Sequence, residues 1–289
     1  MKVLVVDACP CCGGRRIGWP VVRSDERIEA FRLLSRCKYG GYMDGWEVDL
    51  SLAMAQCKDC GHIWHHTHPS QDALFGMYAH GIRLSGRPAS TSPTRRMLST
   101  MRGLNEYCRS MGSSQPTLLD YGSGAGRWAN ASQQAGFHVT AYEPVSSRAG
   151  TAGGIEVVVA LDDLDGRRFD VINLEQVLEH VPDPAATLRD LRRYCHQRSV
   201  LRISVPDVQR LGPKLWRGFP FDGKSVHILS PYEHLHGFRR SSLLALLRGI
   251  GMHPCADWRL LFCLPRYSLE RVAIRFGSPF ARTAVLARY

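Results

Sequence analysis

Short apolar runs alternate with stretches of helical periodicity between residues 95 and 256. The apolar runs, each of strand length, are TLLDY, HVTAYE, IEVVVA, FDVINL and SVLRISV. The first helical stretch begins at Arg95, and its apolar residues recur at three- and four-residue steps: Met97, Met101, Leu104, Cys108 and Met111. Strands that alternate with helices predict an α/β fold, in which a mostly parallel sheet carries helices on both faces.

Two further helices are indicated by their end signals. Asp183-Pro184 has the form of an N-cap followed by proline at the first helical position. The helix it opens is predicted to run through Leu188, Leu191 and Cys195. Another helix covers Leu243, Leu244, Leu247 and Ile250 and is predicted to stop at Gly251.

The chain divides into four predicted segments. Residues 1–84 form a module of short strands and tight turns with a lid segment, and 85–94 (SGRPASTSPT) form a linker. Residues 95–256 form the α/β core. Residues 257–289 form an extension, whose amphipathic basic stretch RYSLERVAIRFGSPFARTAVLARY is predicted to be a helix packed on the core. A helix lying on a membrane surface is the alternative for this stretch.

Size and composition narrow the class of protein. The chain has 289 residues, 44% of them hydrophobic, which is enough for one substantial core and a smaller one. It contains no uninterrupted apolar run of eighteen residues, so no membrane span is predicted. The opening MKVLVVDACPCC is too short an apolar run for a signal peptide, and we therefore predict a cytoplasmic protein.

The formal net charge of +11 is concentrated in two stretches. Residues 83–109 contain six arginines and one glutamate, and residues 257–289 contain six arginines, one aspartate and one glutamate. This charge favours an acidic partner, such as a nucleotide, a phosphorylated sugar, RNA or an anionic lipid surface. The competing interpretation is that these arginines solvate the outer faces of helices, because the chain has no Lys/Arg block typical of nucleic-acid binding.

Four of the ten cysteines form two knuckles, Cys9-Pro-Cys-Cys12-Gly and Cys57-Lys-Asp-Cys60-Gly, with 44 residues between them. Two such turns supply four thiolates, the closed tetrahedral ligand set of structural zinc. The sequence therefore predicts a zinc-ribbon-like module. A redox pair is an alternative function for these cysteines. The nearby histidines are alternative ligands or a polar surface: His62, His65, His66 and His68.

A glycine-rich turn, Asp120-Tyr121-Gly122-Ser123-Gly124-Ala-Gly126, follows the first core strand and precedes a helix. Glycines allow the backbone of such a turn to approach a ligand without Cβ clashes. The next strand ends at Glu143, 17 residues after Gly126, where a carboxylate is placed to bind the ribose hydroxyls of an adenosine ligand. The spacing G-x-G-x-G differs from the dinucleotide pattern G-x-G-x-x-G.

Together with Glu143-Pro144, Leu161-Asp162-Asp163 and FDVINLEQVLEHVPDP at 169–184, this turn resembles the class I S-adenosylmethionine-dependent methyltransferases. The resemblance covers about residues 95–256 and implies their Rossmann-like fold, their activity and their cofactor. It implies that Gly122 and Gly124 line the methionine part of the cofactor. The other implied cofactor-binding residues are Glu143 at the ribose, Leu161 and Asp162 at the adenine, Asn173 and Glu175 facing the sulfonium, and Asp120, Tyr121, Ser123 and Gly126 in the turn.

Methyl transfer is an in-line displacement, so the protein has to align the two partners and, for some acceptors, remove a proton. A histidine suits the proton step, and His180 and His234 are the candidates. The four-cysteine module combined with these motifs is similar to zinc-containing sugar C-methyltransferases. That resemblance implies a sugar pocket lined by Tyr78, His180, Glu233 and His234. The chain departs from that group in ending soon after the core, and in having Pro231 where the group has a tyrosine.

The predicted function is transfer of a methyl group to a small-molecule acceptor, a sugar or other secondary metabolite, acidic and nucleotide-linked compounds included. One alternative is a zinc-containing RNA methyltransferase, which the basic stretches favour. Against it, residues 173–176 read Asn-Leu-Glu-Gln rather than the Asn-Pro-Pro-Tyr used for base-amino methylation. The other alternative is a non-catalytic protein that binds a partner through its zinc module.

Overall fold

A computed structural model describes residues 3–81, 90–145, 153–209, 211, 229, 232–265 and 282–289. The chain forms two compact units, each assembled from separate segments. The first unit comprises Met1–Pro88, Leu178–Thr187 and Pro206–Gly249, and the second comprises Ala89–Val177, Leu188–Val205 and Ile250–Tyr289. This division differs from the continuous segments predicted from the sequence, because a strand near residue 236 adds to the sheet of the N-terminal module.

Two small antiparallel sheets organise the first unit. In one, β1 (Val3–Val5) pairs with β5 (Thr67–Pro69). The other has the order β11-β4-β3-β2 and is formed by His236–Gly237, Ile63–His65, Met54–Cys57 and Ile17–Val21, respectively. The register of β11 places His236 opposite Trp64, and this pairing ties the later segment of the chain to the cysteine module.

Four helical segments complete the N-terminal part of this unit. They are α1 (Asp25–Tyr39), α2 (Trp46–Asp49), α3 (Gln71–Gly76) and a single π-helical turn (Met77–Gly81). Helix α1 ends at Gly40, whose φ of 60° is readily adopted by glycine. The Ser70 hydroxyl caps α3 by accepting a hydrogen bond from the backbone N–H of Ala73. The buried residues packed between these helices include Phe31, Tyr39, Met43, Leu74, Met77, Tyr232 and Leu235.

A seven-stranded sheet of order β12-β13-β10-β9-β6-β7-β8 forms the second unit. Its strands are β6 (Thr117–Tyr121), β7 (His138–Tyr142), β8 (Glu156–Val158), β9 (Phe169–Glu175), β10 (Cys195–Pro206), β12 (His253–Pro254) and β13 (Arg282–Arg288). The pairs joining β10, β9, β6, β7 and β8 are parallel, and β12 pairs with β13 in the antiparallel sense. The predicted α/β class and all five predicted core strands are confirmed.

Helices connect these strands much as the periodicity predicts. They are α4 (Arg95–Ser110), α5 (Arg127–Gln134), α6 (Pro184–Leu191), α7 (Arg240–Gly249, in the first unit) and α8 (Arg259–Cys263). The Asp183 carboxylate accepts a hydrogen bond from the backbone N–H of Ala186 at 2.8 Å, as expected for an N-cap. Helix α6 ends four residues earlier than predicted, because a 3₁₀ turn at Arg192–Tyr194 leads into β10 at Cys195.

The end of the chain corrects the prediction of a C-terminal helix. Residues Arg282–Arg288 form β13, which lies between β12 and β10 in the sheet. Four consecutive apolar residues of this strand are buried: Ala284, Val285, Leu286 and Ala287. A continuous apolar run of strand length is typical of a strand covered on both faces, whereas an amphipathic helix would expose part of it. Residues 266–281 lie outside the described residues.

The predicted linker is only partly described, since residues 82–89 lie outside the described residues. Residues 90–94 lead into α4, where the Thr94 hydroxyl accepts a hydrogen bond from the backbone N–H of Met97 at 3.3 Å. Within the described part of the chain, no helix is both long and apolar enough to cross a membrane.

Candidate active site

The glycine-rich turn lies between β6 and α5 in the second unit. Gly122 and Gly126 have φ values of 72° and 73°, a region that disfavours residues with a Cβ. A Cβ at Gly122 would also lie 2.9 Å from Cγ2 of Val177, so only glycine fits between the turn and the end of β9. A Cβ at Gly124 would meet no atom within 4 Å. The turn is therefore tightly packed on one side and has open space beside Gly124.

Glu143 is attached directly to this turn. Its Oε2 accepts a hydrogen bond from the backbone N–H of Gly124 at 2.9 Å, and its Oε1 accepts one from Val145 at 3.1 Å. The side chain follows β7, which pairs with β6 in parallel register. Tyr121 and Tyr142 end these two strands, with ring centroids 4.9 Å apart. The structure thus brings together the turn and the acidic residue that the sequence predicts at the ribose.

Below the turn lies a buried polar network. Asn173 donates a hydrogen bond from Nδ2 to Oδ1 of Asp120 at 2.7 Å, and both residues are almost completely buried. Burial raises the pKa of Asp120 to about 6, although the Asn173 amide, the backbone N–H of Ala129 and the charge of Arg202 act to lower it. The Asp120 carboxylate is therefore ionised for the most part at neutral pH, and its described contacts support the turn from within the sheet.

Three other predicted cofactor residues are Leu161, Asp162 and Ser123. Leu161 and Asp162 begin a 3₁₀ turn, Leu161–Leu164, shortly after β8. The backbone carbonyl of Leu161 accepts a hydrogen bond from the Tyr194 hydroxyl at 2.8 Å, and the Asp162 side chain is 90% exposed. Ser123 has a buried Oγ that makes no hydrogen bond with any described residue, which suits a hydroxyl that binds a ligand.

A second group of predicted residues, which we call the acceptor group, consists of Tyr78, His180, Glu233 and His234 in the first unit. Tyr78 lies on the π-helical turn, and its Oη is 2.6 Å from Nδ1 of His180. The Tyr78 hydroxyl donates a hydrogen bond to the backbone carbonyl of Glu233 at 2.9 Å. The ring centroids of His180 and His234 are 4.5 Å apart in an edge-on arrangement. The structure therefore brings these four residues together.

The contacts of His180 determine its tautomer. Its Nδ1 lies 2.5 Å from the carbonyl oxygen of Glu233, and a carbonyl oxygen only accepts hydrogen bonds. Nδ1 therefore carries the hydrogen, and the lone pair of the neutral ring is on Nε2. Oε1 of the fully buried Glu179 lies 3.9 Å from that nitrogen. A carboxylate at this distance stabilises a protonated ring.

The Glu233 carboxylate points toward two residues of helix α1. It accepts hydrogen bonds from the Lys38 ammonium and from the Tyr39 hydroxyl, the latter at 2.7 Å. Burial acts to raise the pKa of Glu233, but these hydrogen bonds, with the charges of Lys38 and His234, lower it to about 2. Glu233 is thus a permanent anion that anchors the segment preceding His234, and it is unsuited to taking up a proton at neutral pH.

The four knuckle cysteines form a compact sulfur cluster in the first unit. The Sγ atoms of Cys9, Cys12, Cys57 and Cys60 all lie within 4.8 Å of one another, with 3.5 Å between Cys9 and Cys60 and 3.6 Å between Cys12 and Cys57. The two knuckles have matching backbone turns. Gly13 donates its N–H to the carbonyl of Cys9, and Gly61 donates to that of Cys57. None of these cysteines is in a disulfide.

The neighbouring histidines do not form the polar surface considered in the sequence analysis. His62, His65 and His68 are buried, and His62 Nε2 lies 3.2 Å from Nδ1 of His236. His66 pairs with the carboxylate of Asp7 instead. Among the described residues, the only groups with metal-ligand spacing are the four cysteines and the trio Glu179, His180 and His234.

Comparison with known protein families gives a match that includes the glycine-rich turn and Glu143. A family model described as a methyltransferase domain matches residues 91–253, more than half of the chain. The chain belongs to this methyltransferase family. It is therefore a methyltransferase, the activity that the sequence motifs predict.

Solved structures similar to this methyltransferase include the plantazolicin methyltransferase BpumL in complex with SAH, with 14% identity and a TM-score of 0.47, covering 66% of this chain and 82% of that one. A 1,6-didemethyltoxoflavin-N1-methyltransferase from Burkholderia thailandensis has 20% identity and a TM-score of 0.39, with coverages of 65% and 77%. The mitomycin 7-O-methyltransferase MmcR has 18% identity and a TM-score of 0.40, with coverages of 65% and 53%. No curated protein matches the chain.

Several residues of this methyltransferase's candidate site were not identified from the sequence. Lys38 and Tyr39 hold Glu233, Glu179 faces His180, and Arg202 with Trp128 joins the network below the turn. A signal for Arg202 was present, since it interrupts the apolar strand SVLRISV, and a charge inside a buried strand requires buried partners. Lys38 carries no such signal, because a lysine near the end of an amphipathic helix is usually a solvated residue.

Proposed function

We propose that this methyltransferase transfers the methyl group of S-adenosylmethionine to a small-molecule acceptor, with His180 as the general base. The acceptor is a hydroxyl or an acidic carbon of a sugar or similar metabolite, nucleotide-linked compounds included. The observation that carries the proposal is the acceptor group, in which the contacts of His180 Nδ1 leave the lone pair on Nε2. A neutral imidazole with a fixed tautomer suits the removal of one proton near neutral pH.

The cofactor, when bound, supplies a methyl carbon already activated by its attachment to a sulfonium. The residues that would hold it are Gly122, Ser123 and Gly124 of the turn and Glu143 beside them. The fit is supported by the open space at Gly124 and by the buried Oγ of Ser123, which makes no hydrogen bond within the described part of the chain. These residues have no proton to move in the reaction, and their task is to bind and orient the methyl donor.

Methylation of the acceptor requires the removal of one proton from it. When bound, the cofactor would supply the methyl group and would leave as its neutral thioether, so the acceptor would have to release one proton. The proton of the acceptor passes to Nε2 of His180, which becomes positively charged. Glu179 stabilises that charge from 3.9 Å, and the Glu233 carbonyl keeps the ring oriented through Nδ1. Tyr78 donates a hydrogen bond to the same carbonyl and so helps to hold it in position.

The direct test is formation of S-adenosylhomocysteine with a panel of hydroxy and keto sugars, free and nucleotide-linked, using the wild type and His180→Gln. We expect turnover on at least one class of sugar, a loss of about 10²- to 10⁴-fold in His180→Gln, and equal cofactor affinity of the two proteins. Methylation of bulk RNA but of no small molecule would contradict the proposal, and so would full activity of His180→Gln.

We also propose that Cys9, Cys12, Cys57 and Cys60 bind one structural zinc ion. Two bonds of about 2.3 Å at a tetrahedral angle place neighbouring sulfurs about 3.8 Å apart, close to the Sγ–Sγ distances of 3.5 and 3.6 Å in the cluster. Four thiolates leave no open position for water or substrate, so the ion would stabilise the module rather than take part in the reaction. Metal analysis should find one zinc per chain, and a content far below one would contradict this assignment.

A further inference from the structure

Tyr232 has a backbone conformation that is unusual for an aromatic residue. Its φ is 62°, in the left-handed region that glycine adopts readily and that a bulky side chain disfavours. Tyr232 is also completely buried. A strained residue of this kind persists only where its surroundings hold it in place, and such residues cluster at functional sites. The strain at Tyr232 therefore has to be held by neighbouring residues, and it marks Tyr232 as a candidate functional residue.

The packing of the Tyr232 ring holds this conformation. The centroid of the ring lies 5.8 Å from that of Phe31, 6.3 Å from that of Trp46 and 5.0 Å from that of His65. These three rings come from α1, α2 and β4, respectively, so the tyrosine is packed against three separate elements of the first unit. Tilted and edge-on ring pairs at such distances are favourable. The buried ring therefore opposes relaxation of the backbone to a negative φ.

Glu233, the next residue, presents its backbone carbonyl to the acceptor group. That carbonyl accepts a hydrogen bond from the Tyr78 hydroxyl at 2.9 Å and lies 2.5 Å from Nδ1 of His180. The ring of Tyr232 and the backbone of Glu233 are both attached through the Cα of Tyr232, so a rotation about φ would carry them together relative to the preceding chain. The packed ring therefore holds the carbonyl in the direction of His180.

The segment that follows also holds the backbone on either side of His180. The N–H groups of Leu235 and His236 both donate to the backbone carbonyl of Glu179, at 2.7 and 3.2 Å. Nε2 of His236 lies 3.0 Å from the carbonyl oxygen of Val181. A displacement of this segment would therefore move both the backbone and the ring of His180.

We propose that Tyr232 is a positioning residue for the proton transfer to His180, acting through the backbone carbonyl of Glu233. This inference rests on the methyl-transfer function proposed above. The buried ring holds a strained backbone, that backbone directs the carbonyl, and the carbonyl keeps the hydrogen of the His180 ring on Nδ1. A general base has to be oriented toward the proton that it accepts, and a displacement of about 1 Å costs about 10²-fold in rate.

The experiment compares Tyr232→Leu, which loses the ring, and Tyr232→Phe, which keeps it, with the wild type in the full-length protein. In Tyr232→Leu we expect kcat for the sugar that the wild type methylates to fall about 10²-fold, with unchanged affinity for S-adenosylmethionine. Tyr232→Phe should retain the wild-type kcat. Nitrogen NMR of the histidine rings locates the hydrogen of His180, whose signals are those absent from His180→Gln. That hydrogen should be on Nδ1 in the wild type and in Tyr232→Phe, and shared between the two nitrogens in Tyr232→Leu.

Met43→Ala is the matched control, since Met43 is completely buried in the same core. It should lower the melting temperature and leave kcat and the His180 signals unchanged, and thermal melts verify that each variant is folded. The inference is overturned if folded Tyr232→Leu keeps the wild-type kcat and signals, if Tyr232→Phe is impaired as much as Tyr232→Leu, or if Met43→Ala is impaired equally.

A hydrogen on Nε2 of His180 in the wild type also overturns the inference, and this measurement decides even where Tyr232→Leu does not fold. If the wild type methylates no sugar, the proposed function fails. That outcome is distinct, because the NMR comparison of the variants reports on Tyr232 without turnover.

Discussion

Glu233 in the first unit and Asp120 in the second are both largely enclosed carboxylates, and their pKa values move in opposite directions. Glu233 retains 19% side-chain exposure and has the Lys38 ammonium and the Tyr39 hydroxyl as direct partners. Asp120 is 2% exposed, and its nearest hydrogen-bond donor is the neutral amide of Asn173. The pKa is therefore lowered to about 2 at Glu233 and raised to about 6 at Asp120.

The two pKa shifts indicate different roles for the buried carboxylates of Glu233 and Asp120. Glu233 keeps a constant charge over the whole physiological range, which suits an anchor for the backbone carbonyl that orients His180. Asp120 holds its charge at a cost in stability, which is reasonable only if the charge has a use beyond packing. The comparison predicts that substitutions in the network around Asp120 lower the free energy of unfolding strongly. Substitution of the partners of Glu233 should lower it much less.

The largest effect is expected from Arg202→Met. Removing the guanidinium leaves the carboxylate of Glu175 and the oxygen of Asn173 buried without their donor, and breaking a buried pair in this way costs about 3 to 5 kcal/mol. The measurement is the free energy of unfolding in urea. Arg193→Met is the control, because Arg193 is half exposed and its ion pairs are longer than 3.6 Å; it should lose no more than about 0.5 kcal/mol. Equal losses in both variants would contradict a special role for Arg202.

A smaller, pH-dependent effect is expected from Asp120→Asn. Because the folded pKa of about 6 exceeds the ordinary value of 3.8, the contribution of Asp120 to stability is fully present below pH 4 and is lost as the pH rises through 6. The shift of about two units corresponds to about 3 kcal/mol. The unfolding free energy of Asp120→Asn, relative to wild type, should therefore rise between pH 4 and pH 7. A difference that stays constant over this range would show that Asp120 is not the group that titrates.

The opposite sign is expected at Lys38→Met. The lowered pKa of Glu233 contributes stability above its ordinary value near 4.5, and this is lost as the pH falls toward 2. Lys38 is 37% exposed and screened by water, so the pair is worth only about 1 kcal/mol. Wild type should exceed Lys38→Met by that amount at pH 7, and the two proteins should converge only as the pH falls through the folded pKa of about 2. If the two unfolding free energies converged at high pH instead, the ionised Glu233 carboxylate would not be the partner that Lys38 stabilises.

The smallest effect is expected from Tyr78→Phe. It removes the hydrogen bond to the Glu233 carbonyl and the 2.6 Å contact with Nδ1 of His180, and it leaves the contact of Nδ1 with that carbonyl in place. Such a bond is worth about 1 kcal/mol, so turnover should fall about fivefold while cofactor affinity is unchanged. Steady-state rates and a cofactor titration measure the two quantities separately. Full activity of Tyr78→Phe would remove this residue from the acceptor group.

Prediction from sequence succeeded for local structure that a continuous segment encodes. Asp120 to Gly126 form a strand end, a turn and a helix start, and the φ values required at Gly122 and Gly126 are visible as glycines in the sequence. Glu143 was predictable as well, because parallel register places the end of β7 beside the end of β6. The buried role of Asp120 was not, since the same motif is compatible with a residue facing the ligand or facing the sheet.

The acceptor group shows the limit of such reasoning. Tyr78, His180 and Glu233 come from three distant segments, and only family resemblance indicated that they meet. The partners of these residues, Lys38, Tyr39 and Glu179, depend on how helices pack, which local patterns do not encode. The end of the chain was misread for a related reason: the arginines around β13 resemble an amphipathic helix, whereas burial of Ala284 to Ala287 decides for a strand.

The central claim, that the glycine-rich turn and Glu143 bind S-adenosylmethionine, is tested most directly by calorimetric titration of that cofactor into the wild type and Glu143→Gln. We predict one binding site per chain in the wild type. The affinity should fall by about tenfold or more in the variant, because a hydrogen bond to a charged group is worth about 1.5 to 3 kcal/mol. No binding by the wild type, or equal affinities of the two proteins, would contradict the account.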